Sequence, residues 1–205
     1  MKYFTILLIF LHSVAGFSQK DTSLSYDARE IKKLYVLTEE VFKINLKTSK
    51  SNIITVTTHS DGEYYNDISL EMAVEQDKIV LSSNFPSRLQ DGYDKLSAHK
   101  VFSMEITLEI PEGLEVYVKS NLGSLAGSGT YKYLEAELRS GYCNLENFRG
   151  NALINTYNGG IEIETTNATV TASSRSGKVS NPGYLTGSHK IEIRSITGDI
   201  SVREN

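Results

Sequence analysis

The chain has 205 residues, a formal net charge of −4 and a single cysteine, Cys143. No run of basic residues interrupts this acidic balance, which disfavours nucleic acid and anionic lipid as partners, since Lys and Arg side chains hold both. One cysteine cannot form a disulfide within the chain, so this is not a small cysteine-stapled secreted scaffold. Stability must come from an ordinary hydrophobic core, for which the chain is long enough.

Residues 1–18 have the layout of a secretory signal peptide. Lys2 gives a short positive region, an apolar stretch runs from Tyr3 to Leu11, and small residues precede a cut after Ser18. The apolar stretch is too short to span a bilayer, which takes about 20 residues. We therefore expect an exported protein of the periplasm, the cell surface or the extracellular space, with no membrane insertion once the signal peptide is removed.

The region after the signal peptide is predicted to contain strands and no helix. Residues 19–30 are polar and are expected to form a flexible N-terminus. Residues 31–113 are expected to form an antiparallel β region, with a turn at "HSDG" (59–62) and a loop over 84–99. Its strands are indicated by short alternating or β-branched runs: "IKKLYVL", "VFKINLK", "NIITVTT", "DISLEMAV", "IVLSS" and "VFSMEITLEI".

From residue 114 to residue 205 the alternation becomes a repeat. Short apolar–polar strands end in turns at Gly123, Gly141, Gly160, Gly177 and Gly198, which are 18, 19, 17 and 21 residues apart. A fixed period of this size is typical of stacked structural units, each too small to bury its own apolar face. Glycine suits the corners because it adopts positive φ without steric cost. The fold class predicted is all-β: N-terminal antiparallel strands leading into a short C-terminal β-solenoid.

The repeated phrases "RSGYCNL", "YNGGIEIET", "SRSGKVS" and "ITGDISV" resemble a bacterial putative-adhesin family. The resemblance is good over residues 114–205 and looser over 31–113. It implies a secreted or cell-envelope protein with a repetitive β-helix or β-roll, and it carries no shared catalytic residues. A longer step over residues 178–193 departs from the repeat and predicts a protruding loop.

Candidate catalytic and metal-binding groups are few. His59, His99 and His189 show no ligand spacing, so no metal site or cofactor is predicted. Cys143 alternates within a strand and is better explained as a small buried residue than as a nucleophile. Carboxylate pairs on outward strand positions would permit glycoside chemistry, but the outer face of any soluble strand carries such pairs. We therefore predict a protein that is not an enzyme.

A binding face is the remaining functional prediction, placed on Tyr117, Glu135, Glu137, Glu162 and Glu164, which have the outward phase of their strands. Tyrosine is a good interface residue because it offers contact area and a hydroxyl. The predicted function is a non-catalytic, exported, adhesin-like binding protein with a surface ligand, either protein or glycan. The alternatives are a periplasmic structural or signalling-linked scaffold and, third, a carbohydrate-active hydrolase or lyase.

The last predicted strand, "ISVREN" (200–205), ends the chain without an obvious cap. An uncovered strand at the end of a stack can pair with another chain. We therefore expect either a covering loop or self-association through the solenoid end.

Overall fold

A computed structural model describes residues 19–62, 69–84 and 102–205. The predicted signal peptide, His99 and residues 85–99 of the predicted loop lie outside this description. The described residues form fifteen strands and no helix, so the all-β class is confirmed. The strands are β1 (Gln19–Asp27), β2 (Lys33–Thr38), β3 (Lys43–Ser49), β4 (Ile53–Gly62), β5 (Ser69–Glu75), β6 (Lys78–Asn84), β7 (Phe102–Pro111), β8 (Glu115–Ser120), β9 (Ser124–Ser140), β10 (Cys143–Asn158), β11 (Ile161–Thr165), β12 (Ala168–Ser174), β13 (Val179–Ser180), β14 (His189–Ser195) and β15 (Ile200–Glu204).

The strands form two columns of hydrogen-bonded neighbours. The first column runs β1-β4-β7-β3-β9-β10-β11-β15-β13. The second runs β5-β6-β2-β8-β9-β10-β14-β12. The long strands β9 and β10 belong to both columns, because their first halves pair in one and their second halves in the other.

Both columns bury alternate residues in one hydrophobic cluster of mainly Leu, Ile and Val. Where β9 and β10 pass from one column to the other, Tyr131 stacks on Phe148 with ring centroids 5.4 Å apart. The Tyr131 hydroxyl donates to the carbonyl oxygens of Ser128 (2.9 Å) and Leu46 (3.2 Å). At this bend Gly150 has φ +138, and a Cβ there would lie 2.2 Å from the Tyr131 carbonyl oxygen. The bend therefore requires glycine.

Three expectations for the N-terminal half need correction. Residues 19–30 were expected to be flexible, but β1 pairs antiparallel with β4 over its whole length. Antiparallel pairing over 31–113 holds for β4 with β7 and for β5 with β6, whereas β2 and β3 pair in parallel with both neighbours. The predicted turn at residues 59–62 is the last part of strand β4. Both faces of an edge strand such as β1 can be polar, because backbone hydrogen bonds hold it.

A line of glycines runs along the turns that lead from the second column to the first. A Cβ on Gly141 would lie 2.4 Å from the carbonyl oxygen of Gly123, and one on Gly159 would lie 1.8 Å from that of Gly141. Likewise, a Cβ on Gly198 would lie 1.8 Å from the carbonyl oxygen of Gly159, and one on Gly177 would lie 2.1 Å from that of Gly198. We call these five residues the glycine row.

In four of these five turns, a hydroxyl side chain three residues before the glycine holds the turn. The amide N–H of Gly123 donates to Ser120 Oγ (2.9 Å), that of Gly177 to Ser174 Oγ (2.9 Å) and that of Gly198 to Ser195 Oγ (2.8 Å). Thr156 Oγ1 donates to the Gly159 carbonyl oxygen at 2.9 Å. Gly160, the predicted corner residue, lies in the same turn, where a Cβ would have its nearest neighbour at 3.3 Å. The tight position of that turn is therefore Gly159.

The order of strands in space differs from chain order at the C-terminal end. β15 lies between β11 and β13, and β14 lies between β10 and β12. The chain's last strand is therefore not the edge of the stack. The segment between β13 and β14, predicted to protrude, buries Leu185, and its Asn181 Nδ2 donates to the Val170 carbonyl oxygen at 3.1 Å. This loop thus covers part of the C-terminal end of the stacked strands. A covering loop was one of the two outcomes expected for that end.

Candidate binding surfaces

The outward face of the second column carries a row of tyrosines. Tyr35 on β2 is the register partner of Tyr117 on β8, and their rings stack with centroids 4.6 Å apart and an interplanar angle of 9°. The ring of Tyr133 on β9 tilts against Tyr117 at 6.0 Å. Parallel, in-register pairing places side chains of equal phase side by side. We call Tyr35, Tyr117 and Tyr133 the tyrosine row.

Carboxylates accept hydrogen bonds from two of the three phenol groups of this row. The Tyr133 hydroxyl donates to Glu135 Oε2 (3.1 Å), and the Tyr117 hydroxyl donates to Glu115 Oε2 (3.4 Å). Burial, with Glu135 as the next cause, raises the pKa of Tyr133 to about 12. Burial, followed by the charge of Glu115, raises the pKa of Tyr117. Both phenols therefore stay neutral hydrogen-bond donors at physiological pH.

Ion pairs surround the tyrosine row. Glu115 pairs with Lys132 Nζ at 2.7 Å, which with the Lys33 charge lowers the pKa of the Glu115 carboxyl. Glu137 pairs with Lys119 at 3.4 Å. Exposed pairs of this kind add little stability, but they fix side-chain positions around the aromatic rings.

The five residues of the predicted binding face divide between the two columns. Tyr117, Glu135 and Glu137 lie on the second column, where Tyr117 and Glu135 are register partners. Glu162 and Glu164 lie on β11 of the first column. The structure therefore brings three of the five together and separates the other two from them.

Tyr35 and Tyr133 complete the tyrosine row and were not among the predicted binding residues. Tyr133 has the same outward phase in its strand as Glu135, and this phase could have been read from the sequence. Tyr35 lies more than 80 residues before Tyr117, and only parallel pairing of β2 with β8 brings the two rings together. The antiparallel arrangement expected for that region does not predict contact between these two rings.

The groups considered for catalysis have ordinary structural surroundings. Cys143 is buried, and burial raises the pKa of its thiol to about 12, which disfavours the reactive thiolate. Glu162 Oε2 accepts a hydrogen bond from Arg203 Nη2 at 2.9 Å. This carboxylate is therefore engaged in a surface ion pair.

The histidines that the structure describes do not converge on one another. His59 lies on β4 between Asp21 (Nδ1 to Oδ1, 2.5 Å) and Asp61 (Nε2 to Oδ2, 3.0 Å). His189 begins β14. Within residues 19–62, 69–84 and 102–205, no three His, Cys, Asp or Glu side chains are grouped to hold a metal ion.

No family model matches the sequence, and no curated protein matches it. Among solved structures, a putative cell adhesion protein from Clostridium sporogenes matches with a TM-score of 0.65 and 16% identity, over 91% of this chain and 100% of that chain. A putative adhesin from Bacteroides fragilis matches at a TM-score of 0.38 and 14% identity, over 91% of this chain and 97% of that chain.

At such identities the likeness concerns the fold alone, and with a TM-score of 0.38 the protein from Bacteroides fragilis is a distant match. In the part of the chain that the structure describes, no helix has the length and hydrophobicity of a membrane span. The resemblance to adhesins indicated by the repeated glycine phrases is therefore confirmed at the level of the fold, which is that of the cell adhesion protein from Clostridium sporogenes.

Proposed function

We propose that this protein is a non-catalytic, exported, adhesin-like binding protein that uses the tyrosine row to hold a surface ligand, protein or glycan. The observation that carries the proposal is the in-register stack of Tyr35 on Tyr117, extended by Tyr133. Rigid aromatic side chains provide contact area at low entropic cost, and their hydroxyls add directional hydrogen bonds.

The scaffold proposed for this surface is a short β-solenoid. Each coil of this solenoid contains one second-column strand and one first-column strand. The turns that lead from the former to the latter contain the glycine row. Parallel pairing supports this proposal, with a register that shifts in β10 only between Leu145 and Asn151, where the strand bends. Such a scaffold keeps outward side chains about 4.8 Å apart along a row, which suits a ligand that is itself extended.

The binding proposal is tested with the purified protein on arrays of glycans and extracellular-matrix proteins. We expect Tyr117→Ala and Glu135→Gln to weaken binding at least about fivefold, since a buried aromatic contact contributes roughly 1 kcal/mol. Tyr184→Ala is the matched control, because Tyr184 is exposed and lies in the loop between β13 and β14. Unchanged binding of a folded Tyr117→Ala variant would remove the tyrosine row from the proposal.

The alternatives give different results. A periplasmic structural or signalling-linked scaffold would bind nothing on the arrays. A hydrolase or lyase would lose turnover on Glu162→Gln or Glu164→Gln with the fold intact. Export to the surface is tested separately by protease treatment of intact and permeabilised cells. Cleavage in intact cells supports adhesion, whereas protection until permeabilisation supports the scaffold.

A further inference from the structure

A second surface lies on the first column, away from the tyrosine row. It is a groove of about 880 Å³ that crosses the beginnings of β10, β11, β15 and β13. The registers Asn144↔Glu162, Glu162↔Ser201 and Ser201↔Ser180 place four polar side chains in one line across these strands. At a strand spacing of about 4.8 Å, the line extends over about 14 Å.

An exposed aromatic ring stands at one end of this groove. The Tyr142 residue is 69% exposed, although it lies in a turn whose backbone is fixed by a hydrogen bond from its N–H to Ser124 Oγ (3.1 Å). Beside the ring, Gly160 leaves a depression: a Cβ there would contact the ring carbons of Tyr142 at 3.4 and 3.5 Å. The depression and the ring edge together form a small recess.

The groove carries charges of both signs. Glu162 pairs with Arg203 at 2.9 Å, and Asp199 Oδ1 accepts the amide N–H of Lys178 at 2.7 Å. The Lys178 side chain also lines the groove, so the carboxylates Glu162 and Asp199 lie among the cations Arg203 and Lys178. The remaining groups are an amide, two hydroxyls and a phenol, which can each donate and accept. Because neither sign of charge dominates, the groove favours an uncharged ligand rich in hydroxyl groups.

We propose that this groove binds a neutral oligosaccharide. One sugar ring packs its C–H face on Tyr142 above Gly160, and the following hydroxyls bond to Asn144, Glu162 and Ser201. A ligand pocket combines apolar surface with a few placed polar groups, and here those groups repeat at the strand spacing. The groove shares no residue with the tyrosine row, so its ligand is independent of the one proposed there.

The test uses the full exported protein and a panel of neutral oligosaccharides: malto-, cello-, chito-, xylo- and manno-oligomers, with sulfated and sialylated glycans beside them. Binding is measured by titration calorimetry and saturation-transfer NMR. We expect at least one neutral series to bind. Tyr142→Ala should reduce its affinity at least about tenfold, and Gly160→Val should reduce it by filling the recess.

Matched variants separate the groove from the rest of the surface. Tyr142→Phe should keep most of the affinity because the ring face remains, and Tyr184→Ala should leave it unchanged. Folding of each variant is checked by its melting curve. The proposal is overturned if no neutral series binds, if only charged glycans bind, or if binding survives both Tyr142→Ala and Asn144→Ala. Capture of an extended peptide instead would mean that the groove serves strand pairing at β13.

Discussion

A Cβ atom at Gly159 would lie 1.8 Å from the carbonyl oxygen of Gly141 and 2.7 Å from its carbonyl carbon. No rotamer relieves this contact, because both partners are backbone. We predict that Gly159→Ala lowers the free energy of unfolding by about 3 kcal/mol or more, at or above the usual range for overpacking. The measurement is urea denaturation followed by circular dichroism.

Gly160 is the matched control for this prediction. An added Cβ there would have Asp199 O at 3.3 Å and one edge of the Tyr142 ring at 3.4 Å. Because the exposed ring can move aside, Gly160→Ala should change the free energy of unfolding by less than about 1 kcal/mol. Equal losses from the two substitutions would show that the glycine row does not set the packing of the turns.

The choice between Gly159 and Gly160 illustrates how far single residues could be predicted. The repeat of glycine turns was visible in the sequence, but two adjacent glycines look alike when only their spacing is considered. The informative signal is the hydroxyl residue three positions earlier: Ser120, Thr156, Ser174 and Ser195 precede members of the glycine row at this distance. That offset selects Gly159.

At the scale of elements, strand β1 is held to β4 partly through His59. Hydrogen bonds that protonated His59 donates to Asp21 and then to Asp61 raise the pKa of His59 above its usual 6.5. A raised pKa means that protonated His59 favours the folded state. Its contribution is complete below about pH 6.5 and is lost as the pH rises through the raised pKa. We predict weaker attachment of β1 at alkaline pH.

Amide hydrogen exchange measures this attachment directly. Protection factors of the β1 amides, corrected for intrinsic rates, should be lower at about pH 8.5 than at about pH 5.5, while those of β10 should not change. In His59→Gln the difference for β1 should disappear. Persistence of the difference in that variant would assign the pH response to another group.

β1 also shows why some elements could not be predicted. Its outward and inward positions are both mostly polar, because it is an edge strand whose neighbour β4 supplies the backbone hydrogen bonds. An alternation test detects burial on one face, and β1 has little burial to detect. β10 and β11 were found readily, since their alternate residues point into the core.

At the scale of the whole molecule, the two predicted β regions are joined by direct pairing. β2 pairs with β8 and β3 with β9, across the predicted division between residues 113 and 114. We therefore predict one cooperative thermal transition, with equal calorimetric and van't Hoff enthalpies. Two separate transitions in a calorimetric scan would instead support independent domains at that division.

Topology is the part of the fold that local patterns could not reveal. The sequence pattern identifies strands and turns in chain order, whereas β2, β3, β14 and β15 are inserted between strands that lie elsewhere in the chain. The choice between parallel and antiparallel partners depends on such long-range contacts. The tyrosine row depends on this topology, so Tyr117 was the one member that the sequence predicted, together with Glu135 and Glu137 on the same column.

The covering loop at the C-terminal end determines whether the molecule stays monomeric. β12 pairs only with β14 among the described strands, and Asn181 bonds to the Val170 carbonyl oxygen on β12 while Leu185 is buried nearby in the core. Removing both contacts should expose an edge that can pair with a second copy. We predict that Asn181→Ala with Leu185→Ser self-associates with increasing concentration in sedimentation velocity, and that the unaltered protein sediments as a monomer.

Tyr184→Ala, in the same loop but exposed, should also remain monomeric. Self-association of the unaltered protein would mean that the loop does not protect this end, and a monomeric double variant would mean that another feature does.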